Sequence, residues 1–355
     1  MKTLRSTLRR ARVLLPAVLL AACATSRGGV QRGELLRDTV DAPSLEGNRL
    51  GDPARREALV YLPPGYAASS RRYPVLYVLH GFDATLQAFE TGRLPLRAMM
   101  DSLIAAGGAR PMIVVVPDAR NVYGGAFYTN SPVAGNWEDF VVRDLVAHVD
   151  RRYRTRPRAA ARGIDGHSMG GYGALRLAAR HPDVFGAVYA ASPCCFGPRV
   201  MDDLGPHHRA WPEALALAHR DSIARAGFFP RLMLGMATAF SPAADPPFVD
   251  LPFRRGADGA LVRAEPAYSR WTAQSPSALV AENAAGLRRL RGIAFDVGVS
   301  DGFTHILPNL RELSAALDSA GIRHTFQPYP GNHVSGLAPR FASEVIPFFS
   351  KTLER

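Results

Sequence analysis

Segments of strand length, most of them apolar, alternate along this chain with segments of helical periodicity. Strands are predicted at residues 56–62, 74–79, 112–116, 161–165, 184–191, 293–299 and 324–329. Helices are predicted over residues 94–106, 139–153, 172–180 and 309–320, with a terminal helix from residue 345 onward. Continuous apolar strands that alternate with helices indicate a mostly parallel central sheet with helices on both faces. The pattern therefore predicts an α/β protein.

One long stretch breaks this alternation. Residues 197–291 are rich in proline and aromatic residues, and we expect them to form an inserted, cap-like region over the sheet rather than a separate domain. No internal repeat stands out. We therefore predict one catalytic domain over residues 56–355, preceded by a tether and N-terminal extension over residues 23–55.

The first 22 residues have the layout of a secretory signal peptide. A basic segment ends at Arg12, and the apolar run that follows it is too short to span a bilayer. The run ends in Leu20-Ala21-Ala22-Cys23, which resembles a bacterial lipoprotein signal and predicts lipidation of Cys23. The alternative is an ordinary cleaved signal with a cysteine nearby. We expect an exported protein, held at the cell envelope by Cys23, or otherwise periplasmic or extracellular.

The formal charge of +12 at first indicates nucleic-acid binding. However, five of the basic residues lie in the leader, and without them 38 basic residues face 31 acidic ones. The remaining arginines are scattered, with no basic stripe interleaved with aromatic residues. We therefore expect no nucleic-acid partner, and contact with a membrane only through a lipid anchor at Cys23.

Two further cysteines, Cys194 and Cys195, are adjacent. A disulfide between neighbours is geometrically strained, so we expect two small buried hydrophobic residues without assigned chemistry. No clustered His, Cys or carboxylate spacing indicates a metal site. We expect neither a metal nor a cofactor, and the sequence does not fix the oligomeric state.

The pentapeptide Gly166-His167-Ser168-Met169-Gly170 lies where a predicted strand passes into a predicted helix. A sharp strand-to-helix turn forces its central residue into strained backbone angles and needs small neighbours on both sides. Such a turn exposes the Ser168 hydroxyl and directs the helix N-terminus at charge that develops there. The pattern predicts that Ser168 is a nucleophile, the alternative being a glycine-rich turn without chemistry.

A nucleophilic serine needs a basic histidine, which in turn needs a carboxylate to orient it. Asp301 follows the strand at 293–299, at the end of the sheet where Ser168 lies, whereas Asp296 lies inside that strand. His333 follows the last strand in the order Ser, Asp, His that this arrangement uses. We therefore predict the triad Ser168, Asp301 and His333, with Asp296 as the alternative acid.

Two other late histidines are less suitable as the base. His305 is too close in sequence to Asp301 to belong to a different strand loop, and His324 begins a strand at the opposite end from the site.

The oxyanion formed in such a reaction needs backbone N–H donors. We expect one from Met169, next to the nucleophile, and one from Phe82, in the loop after the strand at 74–79. His80 and His167 lie beside these residues, and we expect them to shape the site rather than to transfer protons.

Four motifs resemble the esterase D-like hydrolases: residues 79–82 (LHGF), 135–140 (GNWEDF), 166–173 (GHSMGGYG) and 330–333 (PGNH). This group includes S-formylglutathione hydrolases, feruloyl and acetylxylan esterases, siderophore esterases and mycolyltransferases. The resemblance covers the chain from about residue 56 to the C-terminus. It implies the α/β-hydrolase fold, ester chemistry without a cofactor, and the same triad. Asp165, which precedes the turn at Ser168, departs from the pattern of this group and could perturb His167 or a neighbouring strand.

These observations favour a secreted serine esterase that acts through an acyl-enzyme on a carboxylic ester of a small molecule or carbohydrate, such as a short acyl, acetylated or feruloylated one. The alternatives are an acyltransferase of the mycolyltransferase type and a non-catalytic envelope binding protein on the same fold. For substrate contact we choose Tyr128 and Trp137, because they lie in or next to an aromatic loop at the catalytic end of the sheet. These aromatic residues could instead pack the insertion onto the sheet.

Overall fold

A sheet of eight strands forms the centre of the computed structural model, which describes residues 32–217 and 220–354. The chain contributes twelve strands in order: β1 (Glu34–Asp41), β2 (Arg55–Leu62), β3 (Val75–Leu79), β4 (Ile113–Pro117), β5 (Asn130–Ser131), β6 (Gly135–Asn136), β7 (Arg162–His167), β8 (Ala187–Ala191), β9 (Phe253–Arg255), β10 (Leu261–Arg263), β11 (Gly292–Gly298) and β12 (Thr325–Tyr329). The central sheet has the order β1-β2-β4-β3-β7-β8-β11-β12, while β5–β6 and β9–β10 form two small antiparallel pairs.

The sheet is mostly parallel. Strands β4, β3, β7, β8, β11 and β12 run parallel to one another, and β1 and β2 add antiparallel pairs at one edge. The central strands β3 and β4 are buried along their whole length, which explains their continuous apolar sequences. The predicted α/β class with a mostly parallel sheet is confirmed.

Helices cover both faces of this sheet. They are α1 (Gln87–Glu90), α2 (Leu96–Ala105), α3 (Trp137–Asp139), α4 (Val146–Arg152), α5 (Met169–Arg180), α6 (Val200–Leu204), α7 (Trp211–Ala216), α8 (Arg220–Arg225), α9 (Phe228–Phe240), α10 (Ala267–Thr272), α11 (Pro276–Arg289), α12 (Ile306–Ser319), α13 (Leu337–Arg340) and α14 (Ile346–Thr352). A π-helical segment, Phe140–Leu145, joins α3 to α4, and another, Phe341–Val345, joins α13 to α14. Among the described residues, no helix is both long and apolar enough to cross a membrane.

The apolar core lies in two layers. Residues of α4, α5, α12 and the insertion pack on one face of the sheet, and residues of α2 and α14 pack on the other. The insertion contains α6 to α11, and its Trp211 and Trp271 are fully buried in the first layer. It is therefore part of the same core as the sheet.

The N-terminal extension differs from the prediction. Residues 34–41, assigned to a tether and extension, form strand β1, which pairs with β2 from Glu34↔Leu62 to Asp41↔Arg55. This strand is at the sheet edge and keeps most of its residues exposed or half-exposed. Its sequence is therefore polar, and it lacks the apolar run by which the other strands of the sheet were recognised.

Glu138 joins α3 to α5. Its carboxylate is buried and accepts hydrogen bonds from Arg176 (2.5 Å), Arg180 (2.9 Å) and the His181 ring (2.7 Å). Burial alone would raise the pKa of Glu138, but the hydrogen bond from His181 and the charges of the two arginines outweigh it and lower the pKa below 4.5. This contact fixes the end of α5 away from Ser168.

We expect Glu138→Gln to destabilise the fold by about 2 kcal/mol at neutral pH, because it removes the buried carboxylate to which the partly exposed Arg176 and Arg180 donate charged hydrogen bonds. A carboxylate whose pKa is lowered by folding adds stability above its unfolded pKa and loses it as the pH falls through the folded value. The stability difference between wild type and variant should thus shrink below pH 4.5 in urea unfolding. The exposed control Glu46→Gln should change little, and a difference independent of pH would contradict this assignment.

Candidate active site

Ser168 lies at the turn between β7 and α5, as predicted. Its backbone has φ 57° and ψ −118°, angles that a residue with a side chain rarely adopts. The turn is held by hydrogen bonds from the Ser168 N–H to the Ala191 carbonyl and from the Tyr172 N–H to the Ser168 carbonyl, both 2.9 Å. Strand, strained serine and helix therefore have the arrangement that exposes a nucleophilic hydroxyl.

The two glycines that flank this turn are required by close backbone contacts. A Cβ on Gly166 would lie 2.2 Å from the Gly170 carbonyl oxygen. A Cβ on Gly170 would lie 2.0 Å from the carbonyl oxygen of Leu79, at the end of β3. Because backbone atoms cannot move aside as side chains can, neither position accepts a larger residue.

Asp301 and His333 meet at the same end of the sheet. The loop after β11 carries Asp301 and the loop after β12 carries His333, whose Nδ1–H donates to Asp301 Oδ2 at 2.8 Å. The other carboxylate oxygen of Asp301 accepts the Phe303 N–H at 2.9 Å, and the side chain is only 2% exposed. This pairing leaves Nε2 of His333 as the ring nitrogen available for proton transfer.

A glycine pair lets these two loops approach each other. A Cβ on Gly298 would lie 2.4 Å from the carbonyl oxygen of Gly331. That same carbonyl accepts the Ser300 N–H at 2.9 Å, which ties the end of β11 to the segment before His333.

The alternative acid and bases are placed elsewhere. Asp296 lies inside β11 and accepts from the Tyr189 hydroxyl at 2.8 Å, and it does not bond to His333. His305 bonds to Asp203, and His324 precedes β12 at the far end of that strand. The structure thus pairs the predicted Asp301 with the predicted His333, and Ser168 lines the same cavity as His333.

The two predicted oxyanion donors lie on either side of the nucleophile. Met169 is the first residue of α5, so its N–H belongs to the first turn, which lacks acceptors inside the helix. Phe82 follows Gly81, where a Cβ would lie 3.6 Å from the Ser168 Cβ. The next N–H, of Asp83, is occupied by the Gly124 carbonyl at 2.9 Å. Phe82 and Met169 remain the predicted donors.

His80 and His167 hold the neighbouring backbone in place. His80 is buried, donates from Nδ1 to the Gly81 carbonyl (2.8 Å) and accepts the Ala119 N–H at Nε2 (2.9 Å). His167 donates from Nε2 to the His333 carbonyl at 2.7 Å. Desolvation, and next the charge of His333, lower the pKa of His167 to about 3, so it is neutral at physiological pH. These contacts fit the expected shaping role.

Asp203, which the sequence analysis did not single out, organises the acid loop. It lies on α6 in the insertion and accepts hydrogen bonds from the Thr304 N–H and hydroxyl and from the His305 N–H and Nδ1–H, at 2.5 to 3.2 Å. Burial alone would raise the pKa of Asp203, but the hydrogen bonds from His305 and Thr304 outweigh it and lower the pKa to about 2. No local sequence signal marks a lone aspartate for this role, because its partners are about a hundred residues away.

The expectation for Cys194 and Cys195 is wrong in one respect. Both are buried, but they form a disulfide with each other in the loop after β8. The Cys194 N–H donates to the Ser168 carbonyl at 3.3 Å, and the Cys195 N–H donates to His305 Nε2 at 3.1 Å. The disulfide loop therefore contacts both the nucleophile and the segment that follows Asp301.

A cavity of about 720 Å³ opens beside the triad. Ser168 and His333 line it together with apolar side chains from α1, the insertion, the segments around α13 and the loops after β3 and β11. These side chains include Phe82, Phe89, Phe228, Phe303, Leu337 and Phe341. Among the described residues, no group of three or more His, Cys, Asp or Glu side chains could hold a metal ion.

Tyr128 and Trp137, predicted to contact substrate, do not line this cavity. Both are fully buried: the Tyr128 hydroxyl donates to the His80 carbonyl (2.9 Å), and the Trp137 Nε1–H donates to the Ala134 carbonyl (2.7 Å). We correct this prediction, because both rings lie in the core and their polar atoms are paired there. Cys23, the predicted lipidation site, lies outside the described residues.

Comparisons with known proteins agree with this architecture. The Esterase family model, described as "Putative esterase", matches residues 52–346. Esterase Rv1288 and Esterase MT1326, from two strains of Mycobacterium tuberculosis, are each 37% identical to this chain over 127 residues, which is 34% of it. The aligned part covers 25% of the length of each mycobacterial protein.

Solved structures are similar over nearly the whole chain. A ferulic acid esterase has a TM-score of 0.60 at 23% identity, covering 91% of this chain and 99% of that one. An S-formylglutathione hydrolase from Agrobacterium tumefaciens has a TM-score of 0.57 at 20% identity, covering 91% and 97%. At these identities the likeness shows the fold, and the family match covers most of the sequence. This chain belongs to the esterase family and has the α/β-hydrolase fold.

Proposed function

We propose that this protein hydrolyses a carboxylic ester through an acyl-enzyme formed on Ser168. The observation that carries the proposal is the Asp301–His333 hydrogen bond, at 2.8 Å, on the wall of a cavity that Ser168 shares. Membership of the esterase family supports the same reaction class. The apolar and aromatic lining favours an ester with a sizeable apolar part.

In the first half-reaction, Ser168 Oγ attacks the ester carbonyl carbon while Nε2 of His333 takes the hydroxyl proton. The carbonyl oxygen becomes an oxyanion that accepts from the Phe82 and Met169 N–H groups. The C–O bond to the alcohol then breaks, and His333 returns the proton to the leaving oxygen. The products of this step are the free alcohol and the acyl-enzyme.

In the second half-reaction, water replaces the alcohol. His333 takes a proton from the water as its oxygen attacks the acyl carbon, and the proton passes to Ser168 Oγ as the acid is released. Asp301 does not itself exchange a proton. It keeps Nδ1 protonated and stabilises the imidazolium, and its own position is fixed by Phe303 and by the loop that Asp203 holds.

We further propose that the protein is exported and held at the cell envelope by a lipid on Cys23. The support is the sequence alone: a basic segment, a short apolar run and Leu20-Ala21-Ala22-Cys23.

We expect a fluorophosphonate probe to label wild-type protein once, on the peptide that contains Ser168, because the proposed mechanism gives this hydroxyl a proton acceptor in His333 and oxyanion donors in Phe82 and Met169. Mass spectrometry of the digested protein checks the position. Ser168→Ala should abolish the label, and the control variant Ser70→Ala, which removes an exposed serine hydroxyl, should retain it. Folded wild-type protein that is labelled elsewhere, or not at all, would rule out the proposed function.

We expect Asp301→Asn to lower kcat/KM by about a thousandfold or more, because the amide favours the wrong tautomer of His333. Asp203→Asn should lower it about tenfold, since it weakens the hydrogen bonds that hold the acid loop. Asp202→Asn, at the exposed neighbouring carboxylate, is the control for Asp203 and should behave as wild type. Steady-state kinetics on a p-nitrophenyl ester check all three. A severe loss in Asp296→Asn with a mild one in Asp301→Asn, at equal stability, would reverse the assignment of the acid.

For the anchor, we expect protein expressed with its leader to fractionate with membranes, because the several acyl chains of a lipoprotein hold firmly where one binds only marginally. Cys23→Ser should release or mislocalise it, and Ala24→Ser is the matched control. Equal solubility of wild type and Cys23→Ser would leave an ordinary cleaved signal as the explanation.

A further inference from the structure

The mostly apolar lining of the active-site cavity includes one group of ionisable side chains that belong to the sheet and to α13. Asp165 on β7, Asp296 on β11 and Arg340 on α13 all line the cavity. Asp165 lies three residues before Ser168 on β7, a distance of about 10 Å along a strand. The two aspartates are 4% and 1% exposed, so both carboxyl groups are removed from bulk water.

Part of this polar group is paired internally. Asp296 Oδ2 accepts from Arg340 Nε at 2.6 Å and from the Tyr189 hydroxyl at 2.8 Å. Arg340 also donates from Nη2 to Gln327 Oε1 at 3.0 Å, and its guanidinium lies 4.3 Å from the centre of the Tyr329 ring. Asp296, which is buried, and Arg340, which is half-buried, thus form an ion pair between the sheet and α13.

One oxygen of each of the two aspartates is unpaired. Within the described part of the chain, neither Asp165 Oδ1 nor Asp296 Oδ1 has a hydrogen-bond partner. Leaving a buried polar atom without a partner costs free energy, so such atoms are normally satisfied by water or a ligand. Two orphaned oxygens on residues that line the cavity therefore indicate a position for a polar atom that the protein does not supply.

The charges of the site select the kind of polar atom. Burial, and next the charge of Asp296, raise the pKa of Asp165 well above its usual range, which favours the protonated carboxyl, a group that can donate. The Asp296 carboxylate is balanced by Arg340. The site is therefore close to neutral overall, which disfavours both an ammonium and a carboxylate and favours a hydroxyl, which donates and accepts at once.

We propose that Asp165, Asp296 and Arg340 form a subsite that binds a hydroxyl group carried by the substrate ester, remote from the carbonyl that Ser168 attacks. A substrate hydroxyl donates to Asp296 Oδ1 and accepts from the protonated Asp165 carboxyl. The preferred substrate is thus an ester with an apolar middle part and a hydroxyl at its far end. This inference rests on the proposed esterase function and adds the substrate class.

The test compares p-nitrophenyl hexanoate, octanoate and decanoate with their ω-hydroxy analogues. A second pair of series places the hydroxyl on the alcohol side, using acetate esters of linear alcohols and of the matching diols. For at least one chain length, wild-type protein should prefer the hydroxylated ester on the order of tenfold in kcat/KM, the value of one well-made hydrogen bond.

Asp165→Leu should bring that preference close to one, and Asp165→Asn, which keeps a donor and an acceptor, should retain part of it. Asp318→Asn on α12, whose side chain is 75% exposed, is the control and should keep the wild-type preference. Circular dichroism and fluorophosphonate labelling of Ser168 establish that each variant is folded. If Asp165→Leu is unfolded, Asp165→Asn alone decides. A preference smaller than that of wild type supports the role of Asp165, and a preference equal to that of wild type contradicts it.

Failure of this proposal is distinguishable from failure of the proposed function. Wild-type protein that cleaves plain esters and shows no preference for any hydroxylated ester would overturn the subsite, leaving water as its occupant, and would keep the esterase. If no ester is cleaved, the change in Tm of the Ser168→Ala variant on addition of each ester tests the subsite without turnover. A larger rise in Tm with an ω-hydroxy ester than with its plain analogue supports it, and equal shifts overturn it.

Discussion

The whole site depends on how closely the backbone of the serine turn packs against the end of β3. Gly166, Gly170 and the Leu79 carbonyl lie so close together that an added Cβ would overlap backbone atoms. Only this proximity lets β7 pass directly into α5 with Ser168 at a positive φ, next to Gly81 and Phe82. The strain of that residue is balanced by a turn whose hydrogen bonds reach Ala191 on the next strand.

The insertion does more than cover the sheet. Through Asp203 it fixes the segment at Thr304 and His305, which directly follows the acid loop. His305 then accepts the Cys195 N–H, and the disulfide loop returns to the Ser168 carbonyl through Cys194. The loops that carry Ser168 and Asp301 are thus joined by a chain of hydrogen bonds that runs through a part of the protein outside the central sheet.

The sequence was most informative where chemistry is tied to the ends of strands. Ser168, Asp301 and His333 could be placed together because parallel strands deliver their loops to one edge of the sheet. Strand β1 was missed because an exposed edge strand needs no apolar run. Tyr128 and Trp137 were misplaced because aromatic residues serve equally in a core and on a cavity wall, and a linear pattern does not distinguish the two. The Asp203 contacts and the disulfide depend on distances that exist only after folding.

The two unpaired carboxylate oxygens also bear on attempts to make this protein more robust. A buried acid that lacks a full set of partners lowers the stability of the fold, and an apolar residue of similar volume at Asp165 would remove that cost. Selection for heat resistance alone would therefore tend to replace Asp165. A thermostabilised enzyme obtained in this way would have exchanged discrimination between substrates for stability, without any change at Ser168, Asp301 or His333.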